Sequence, residues 1–110
     1  MNGDSVTNAT IVNISKQEEA IAELNIKIVS AKDLRNTKIF GKMDPKVVIE
    51  YRNVKYKTDT DEDGHTEPIW NENVDIPIYS LDEELKIECL DIGIMFDETI
   101  CSAFVKITYI

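Results

Sequence analysis

Apolar and polar residues alternate along most of this chain. In "LNIKI", Leu24, Ile26 and Ile28 share one face while Asn25 and Lys27 take the other. The same period of two sets Val47, Ile49 and Tyr51 against Lys46, Val48, Glu50 and Arg52 in "PKVVIEYR". It continues through "VKYKT", "ENVDIPIY", "ELKIEC" and "SAFVKITYI". Successive side chains on a pleated strand point to opposite faces, so this alternation predicts half-buried antiparallel strands. "ATIVNIS", residues 9–15, reads as a seventh strand. Only "SKQEEAIAEL" has a helical rhythm, and it is short and uncapped beyond Ser15. Gly, Pro and Asp gather at 35–44, 59–68 and 91–98, which are the predicted loops. About seven short strands at close spacing predict an all-β protein, an antiparallel two-sheet β-sandwich. The expected layout is an N-terminal segment, residues 1–21, carrying the strand at 9–15, followed by the sandwich over 22–110.

Composition narrows the function. A chain of 110 residues has room for one core. Its longest apolar runs, such as "IGIMF", fall far short of the ~20 residues that a membrane span needs. Residues 1–20 lack the basic start and apolar centre of a signal peptide, so the expected setting is intracellular, cytoplasmic or peripheral to a membrane. Two cysteines, Cys89 and Cys101, are too few for a disulfide framework; both lie in predicted strands and read as buried structural thiols. The net charge of −9 is unevenly laid out: nine basic and three acidic residues lie between Lys27 and Lys57, leaving the remainder strongly acidic. Nucleic acid needs a broad basic surface and is not expected as a partner.

The acidic stretch "TDTDEDGHTEPIW" places Asp59, Asp61, Asp63 and Gly64 where a calcium-binding EF-hand loop would have ligands and its glycine. Position twelve of that loop, which must be a bidentate Glu, is Trp70. The upstream flank is a strand, and Pro68 opposes a downstream helix. The loop therefore reads as a hydrated strand connection. His65, the only histidine, has no partnered nucleophile, and no glycine-rich phosphate loop is present. The chain reads as no enzyme, with no cofactor and no small-molecule substrate.

Four segments carry a family resemblance. "EPIWNENVDIPI" resembles the Asn-Pro-x-Trp-Asn-Glu signature of C2 domains, with Pro68, Trp70, Asn71 and Glu72 in place. "LNIKIVSAKDL" resembles the family's first conserved strand, and "GKMDPKVVI" its Gly-x-x-Asp-Pro-Tyr-Val segment. "LKIECLD" resembles the strand that enters the last membrane-facing loop. The segments keep the family's order and spacing over residues 22–107, with departures at Lys46, Glu67 and Cys101. The resemblance implies a C2-like sandwich whose loops at one end would hold calcium between several aspartates. Carried onto this chain, those positions are Lys38, Asp44, Asp91, Gly93 and Asp97, so at most three carboxylates remain and a cation replaces one of them. Calcium wants six to eight oxygen ligands, many of them charged. A misplaced unit charge at about 4 Å costs about 4 kcal/mol at an effective dielectric of 20. The expectation is a site without metal, in which the Lys38 ammonium pairs with Asp44 and Asp91 and ties the loops together.

Two binding roles follow. The first is a calcium-independent protein-interaction or scaffold subunit within a larger assembly. The resemblance implies eight strands where seven are counted, which predicts an open edge able to take a partner's strand. The second is membrane targeting through anionic phospholipid, a phosphoinositide above all. Lys46, Arg52, Lys55 and Lys57 are expected on one outward face, where each basic residue is worth about 1 kcal/mol near an anionic leaflet. Apolar loop tips at Ile39 and Phe40, and at Ile94, Met95 and Phe96, suit either partner. The acidic total favours protein.

Overall fold

The computed structural model describes residues 19–108, and within them the chain forms six strands and no helix. They are β1 (Ala22–Ser30), β2 (Pro45–Tyr51), β3 (Val54–Lys57), β4 (Ile69–Ile78), β5 (Glu84–Asp91) and β6 (Glu98–Lys106). These are six of the seven expected strands; the seventh, at 9–15, lies outside the described residues. The helical reading of "SKQEEAIAEL" fails where it can be seen. Ala22 and Leu24 pair with Ile78 and Ile76 instead, so cross-strand pairing overrides a weak local preference.

Among the described residues all pairing is antiparallel and falls into two sheets, β1-β4 with two strands and β3-β2-β5-β6 with four. Alternation sorts the side chains as the sequence requires. Val47, Ile49 and Tyr51 of β2 face Val74, Ile76 and Ile78 of β4 across one core, joined by Leu85. A second cluster of Met43, Cys89 and Ile100 sits at the loop end, and Trp70 packs against both clusters. Burial of these side chains is the main term holding the sheets together, at about 1.5–3 kcal/mol for each fully buried aliphatic or aromatic residue. The Trp70 indole N–H donates to the Pro45 carbonyl at 3.1 Å, satisfying the one polar atom of that anchor.

Three local features place the loops. Arg52 and Asn53 have φ of 50° and 65° and make the tight two-residue turn between β2 and β3. Asn71 has φ of 52° where the β1-β4 register shifts between Ile28 and Ser30; asparagine tolerates that left-handed geometry better than most residues. Gly41, at φ 78°, turns the 35–44 loop.

Candidate functional site

The 35–44, 59–68 and 91–98 loops meet at one end of the sandwich, and Asp91 is their junction. Its side chain is only 3% exposed. One carboxylate oxygen accepts the Asp44 backbone N–H at 2.9 Å. The other accepts the Thr37 hydroxyl at 3.1 Å and lies 3.4 Å from the Lys38 ammonium. The Ile92 N–H returns to the Asp44 carbonyl at 3.1 Å. A buried carboxylate met by three donors offsets its desolvation and fixes the 35–44 loop that supplies them against the end of β5.

The expected pairing of Lys38 with both aspartates is corrected in part. Lys38 reaches Asp91, but among the described residues it makes no ion pair with Asp44. The Asp44 carboxylate instead accepts the Asp63 N–H at 2.8 Å, securing the neighbouring loop. Gly93 donates its N–H to the Asp97 carboxylate at 3.2 Å, closing a tight turn. A Cβ at Gly93 would overlap the Phe96 carbonyl oxygen, so this turn has no room for an aspartate there. Of the five positions, one is thus an ammonium, one a glycine in a closed turn, and the three carboxylates already serve protein donors. That donor set does not fit a calcium cage of six to eight oxygens.

Beyond this junction the two loop tips project into solvent. Ile39 and Phe40 are 90% and 88% exposed; Ile94, Met95 and Phe96 are 105%, 91% and 75% exposed. Asp44, Glu62, Asp91 and Glu98 line the hollows on either side of Lys38, so the ground between the tips is net negative.

The basic face is smaller than the sequence suggested. Lys46, Lys55 and Lys57 line one shallow depression of about 130 Å³ together with Val48 and Leu90. Glu88 and Asp97 line it too, offsetting two of the three charges. Arg52 belongs elsewhere. Its place in the β2-β3 turn sends the guanidinium to Glu83, at 2.9 Å, and over the Tyr79 ring. Tyr51 donates to the same Glu83 carboxylate at 2.6 Å and accepts the Tyr79 N–H at 2.9 Å. The tyrosine hydrogen bond, then the arginine, hold Glu83 below the ordinary glutamate range; burial first, and that bond second, push Tyr51 up.

Other residues carry roles that alternation cannot reveal. His65 is no idle surface group: its Nδ1 accepts the Met43 N–H at 3.2 Å while its backbone N–H donates to the Met43 carbonyl at 3.0 Å. Asp61 accepts the Ile69 N–H, and Glu72 accepts the Asp59 N–H. The acidic loop therefore spends part of its charge capping its own backbone, a use signalled by the Asp/Gly/Pro content of the loop. The cysteine expectation is half corrected. Cys89 is buried and its thiol is pushed up to about 12, chiefly by burial, whereas Cys101, directly opposite on β6, is exposed.

With this geometry in hand, comparison with known proteins gives the class. The C2 domain family model matches residues 22–108, and the chain belongs to that family. It is 30% identical over 77 residues to the 16 kDa phloem protein 1 of Arabidopsis thaliana, a match covering 66% of this chain and 49% of that protein. Thus the chain spans about half the length of that relative. Among solved structures it resembles the calcium-bound pair of C2 domains of Extended-Synaptotagmin 2, with a TM-score of 0.73 at 24% identity, covering 82% of this chain and 36% of that one. A C2 domain of plant Extended Synaptotagmin 1 superposes with a TM-score of 0.70 at 20% identity over 83% of this chain and 71% of that one. These two likenesses show the fold, an all-β C2 sandwich.

Proposed function

We propose that this C2 domain is a non-catalytic, calcium-independent docking module whose main partner is a protein, engaged through the two apolar loop tips. The observation that carries the reading is the Lys38–Asp91 pair, which links the loops with the chain's own cation directly beneath five exposed apolar side chains. Apolar surface concentrated in this way marks an interaction site. Its acidic footing would repel an anionic leaflet at close range, within about 10 Å at ordinary salt. A fitting partner has an apolar groove bordered by Lys or Arg, so that burial of the tips supplies affinity and the charges supply orientation. No helix among the described residues is long and apolar enough to cross a membrane.

A second reading has its own observation. Lys46, Lys55 and Lys57 share one depression, which could receive a lipid phosphate at a membrane surface. One experiment separates the two: liposome co-sedimentation, with chelator throughout, on neutral and anionic vesicles. It is run beside size analysis of the native complex for the wild type and a Phe40→Asp/Phe96→Asp variant. The docking reading expects no sedimentation and a complex lost in the variant. Sedimentation on anionic vesicles that is abolished by Lys55→Glu/Lys57→Glu would replace it with the lipid reading.

A further inference from the structure

Cys89 of β5 and Cys101 of β6 are free thiols and Cα partners in one antiparallel ladder. Residues directly opposite one another point to the same face of a sheet. The Cα atoms of such pairs stand about 4.5–5.5 Å apart, within the span of about 4.4–6.8 Å that a disulfide bridges. The two sulfurs also sense each other. After burial, the charge of a Cys101 thiolate is the next cause that pushes the Cys89 thiol up to about 12. Their surroundings differ: Cys101 is exposed and meets solutes, while Cys89 is buried with Met43 and Ile100.

We propose that this pair is a reversible thiol–disulfide exchange site, which takes a small disulfide of the glutathione class as oxidant and closes into a Cys89–Cys101 bridge. Cys101, as its thiolate, attacks one sulfur of glutathione disulfide. A new S–S bond joins it to one glutathione half, and the other half leaves as a thiolate. Cys89 then gives up its proton and attacks the Cys101 sulfur, expelling the second glutathione. Two protein thiols are thereby oxidised to one disulfide, and one glutathione disulfide is reduced to two thiols, which take up the two protons. The second step is the slow one, because a thiol pushed up to about 12 is rarely a thiolate near neutral pH.

Closing has a structural consequence. A bridge holds its Cβ atoms about 3.5–4.5 Å apart, closer than the about 4.5–5.5 Å of an unbridged pair. It therefore pulls on β5 and β6 beside an existing irregularity, where the register shifts between Cys89 and Leu90. There the Thr99 and Ile100 carbonyls accept the Arg35 guanidinium at 2.9 and 3.2 Å. The bridge also turns the Cys89 sulfur away from Met43, whose own sulfur accepts the Thr37 N–H at 3.4 Å. Both effects reach the 35–44 loop, so the closed form loosens it. The inference uses no partner, so its failure and that of the docking reading are separable.

The test incubates the whole chain of 110 residues with glutathione disulfide and follows intact mass, non-reducing peptide maps and amide exchange. A glutathione adduct on Cys101 is expected first. It then converts to a Cys89–Cys101 link within one molecule, at a rate rising about tenfold per pH unit between about pH 7 and 9, as the Cys89 thiolate does. Excess reduced glutathione reopens the link, and exchange across 35–44 is at least about threefold faster in the closed form. In Cys89→Ser the adduct is the end product; the wild-type map decides the matter even if that variant does not fold. An unreactive Cys101, an adduct that never converts, a link between molecules, or one that excess reduced glutathione leaves intact overturns the proposal. Loop exchange unchanged by closure overturns its effect on the 35–44 loop.

Discussion

Asp91 shows how one buried side chain can hold a loop in place. A carboxylate this buried costs several kcal/mol to desolvate, on the order of the penalty for any ion moved out of water. It is tolerated because Thr37, Lys38 and the Asp44 N–H, all of the 35–44 loop, meet it together. Removing a partner should therefore cost more than a surface salt bridge suggests, although Lys38 is one-third exposed and partly screened. Lys38→Met is expected to lower stability by about 1 kcal/mol and Asp91→Asn by about 2 kcal/mol, both read from urea unfolding midpoints. The second is larger because an amide leaves one donor facing another. Rebuilding a calcium site should also fail. Lys38→Asp/Gly93→Asp forces a Cβ onto the Phe96 carbonyl, so it is expected to lose about 1–3 kcal/mol as an overpacked turn. Micromolar calcium binding by that variant in a calorimetric titration would contradict this.

Among the elements, strands were legible and turns were not. Alternation located all six, from "LNIKI" to "SAFVKITYI", because a sheet with one buried face imposes a period of two directly on the sequence. It could not tell that Cys101, Ala103 and Val105 face inward yet remain exposed, since that depends on how many strands stand opposite. It also misplaced Arg52. The period assigns that residue to an outward face, but the left-handed turn it occupies redirects it to Glu83 and Tyr79. Asp44 and Asp91 were legible from the family's spacing, whereas their donors Asp63 and Thr37 come from loop geometry with no sequence period. The Tyr51–Glu83–Arg52 cluster ties the end of β2 to the β4-β5 connection and has a pH signature. Glu83 titrates below the ordinary glutamate range in the fold, so its contribution is complete above that range and lost as pH falls through the lower value. Tyr51 is raised, so its contribution is complete below the ordinary tyrosine range and lost as pH climbs through the higher value. Glu83→Gln is expected to flatten the acid limb of a stability-versus-pH curve, and Tyr51→Phe the alkaline limb. An acid limb as steep as wild type in Glu83→Gln would remove the cluster from this role.

For the whole molecule, the electrostatics ask what the calcium-holding end of a C2 sandwich does when its net charge changes. In this chain the loop end keeps Asp44, Asp91 and Asp97, each engaged by a protein donor, and sets Lys38 among them. The chain as a whole is acidic, at −9. Long-range attraction would still gather divalent ions loosely around such a surface, so a slight salt-like response is expected whether or not a site exists. Linkage distinguishes that from true binding. A ligand present at 100 times its dissociation constant stabilises the fold by about 2.7 kcal/mol. For a domain near 100 residues, this amounts to a rise of roughly 10 °C or more in melting temperature. Millimolar calcium is expected to leave the midpoint within about 1 °C of its value in chelator and to match the effect of equal magnesium, as screening by either ion requires. A calcium-specific rise of several degrees would mean that Lys38 swings out and the three carboxylates reconverge. The docking reading would then give way to one in which the apolar tips act only on a metal-loaded surface.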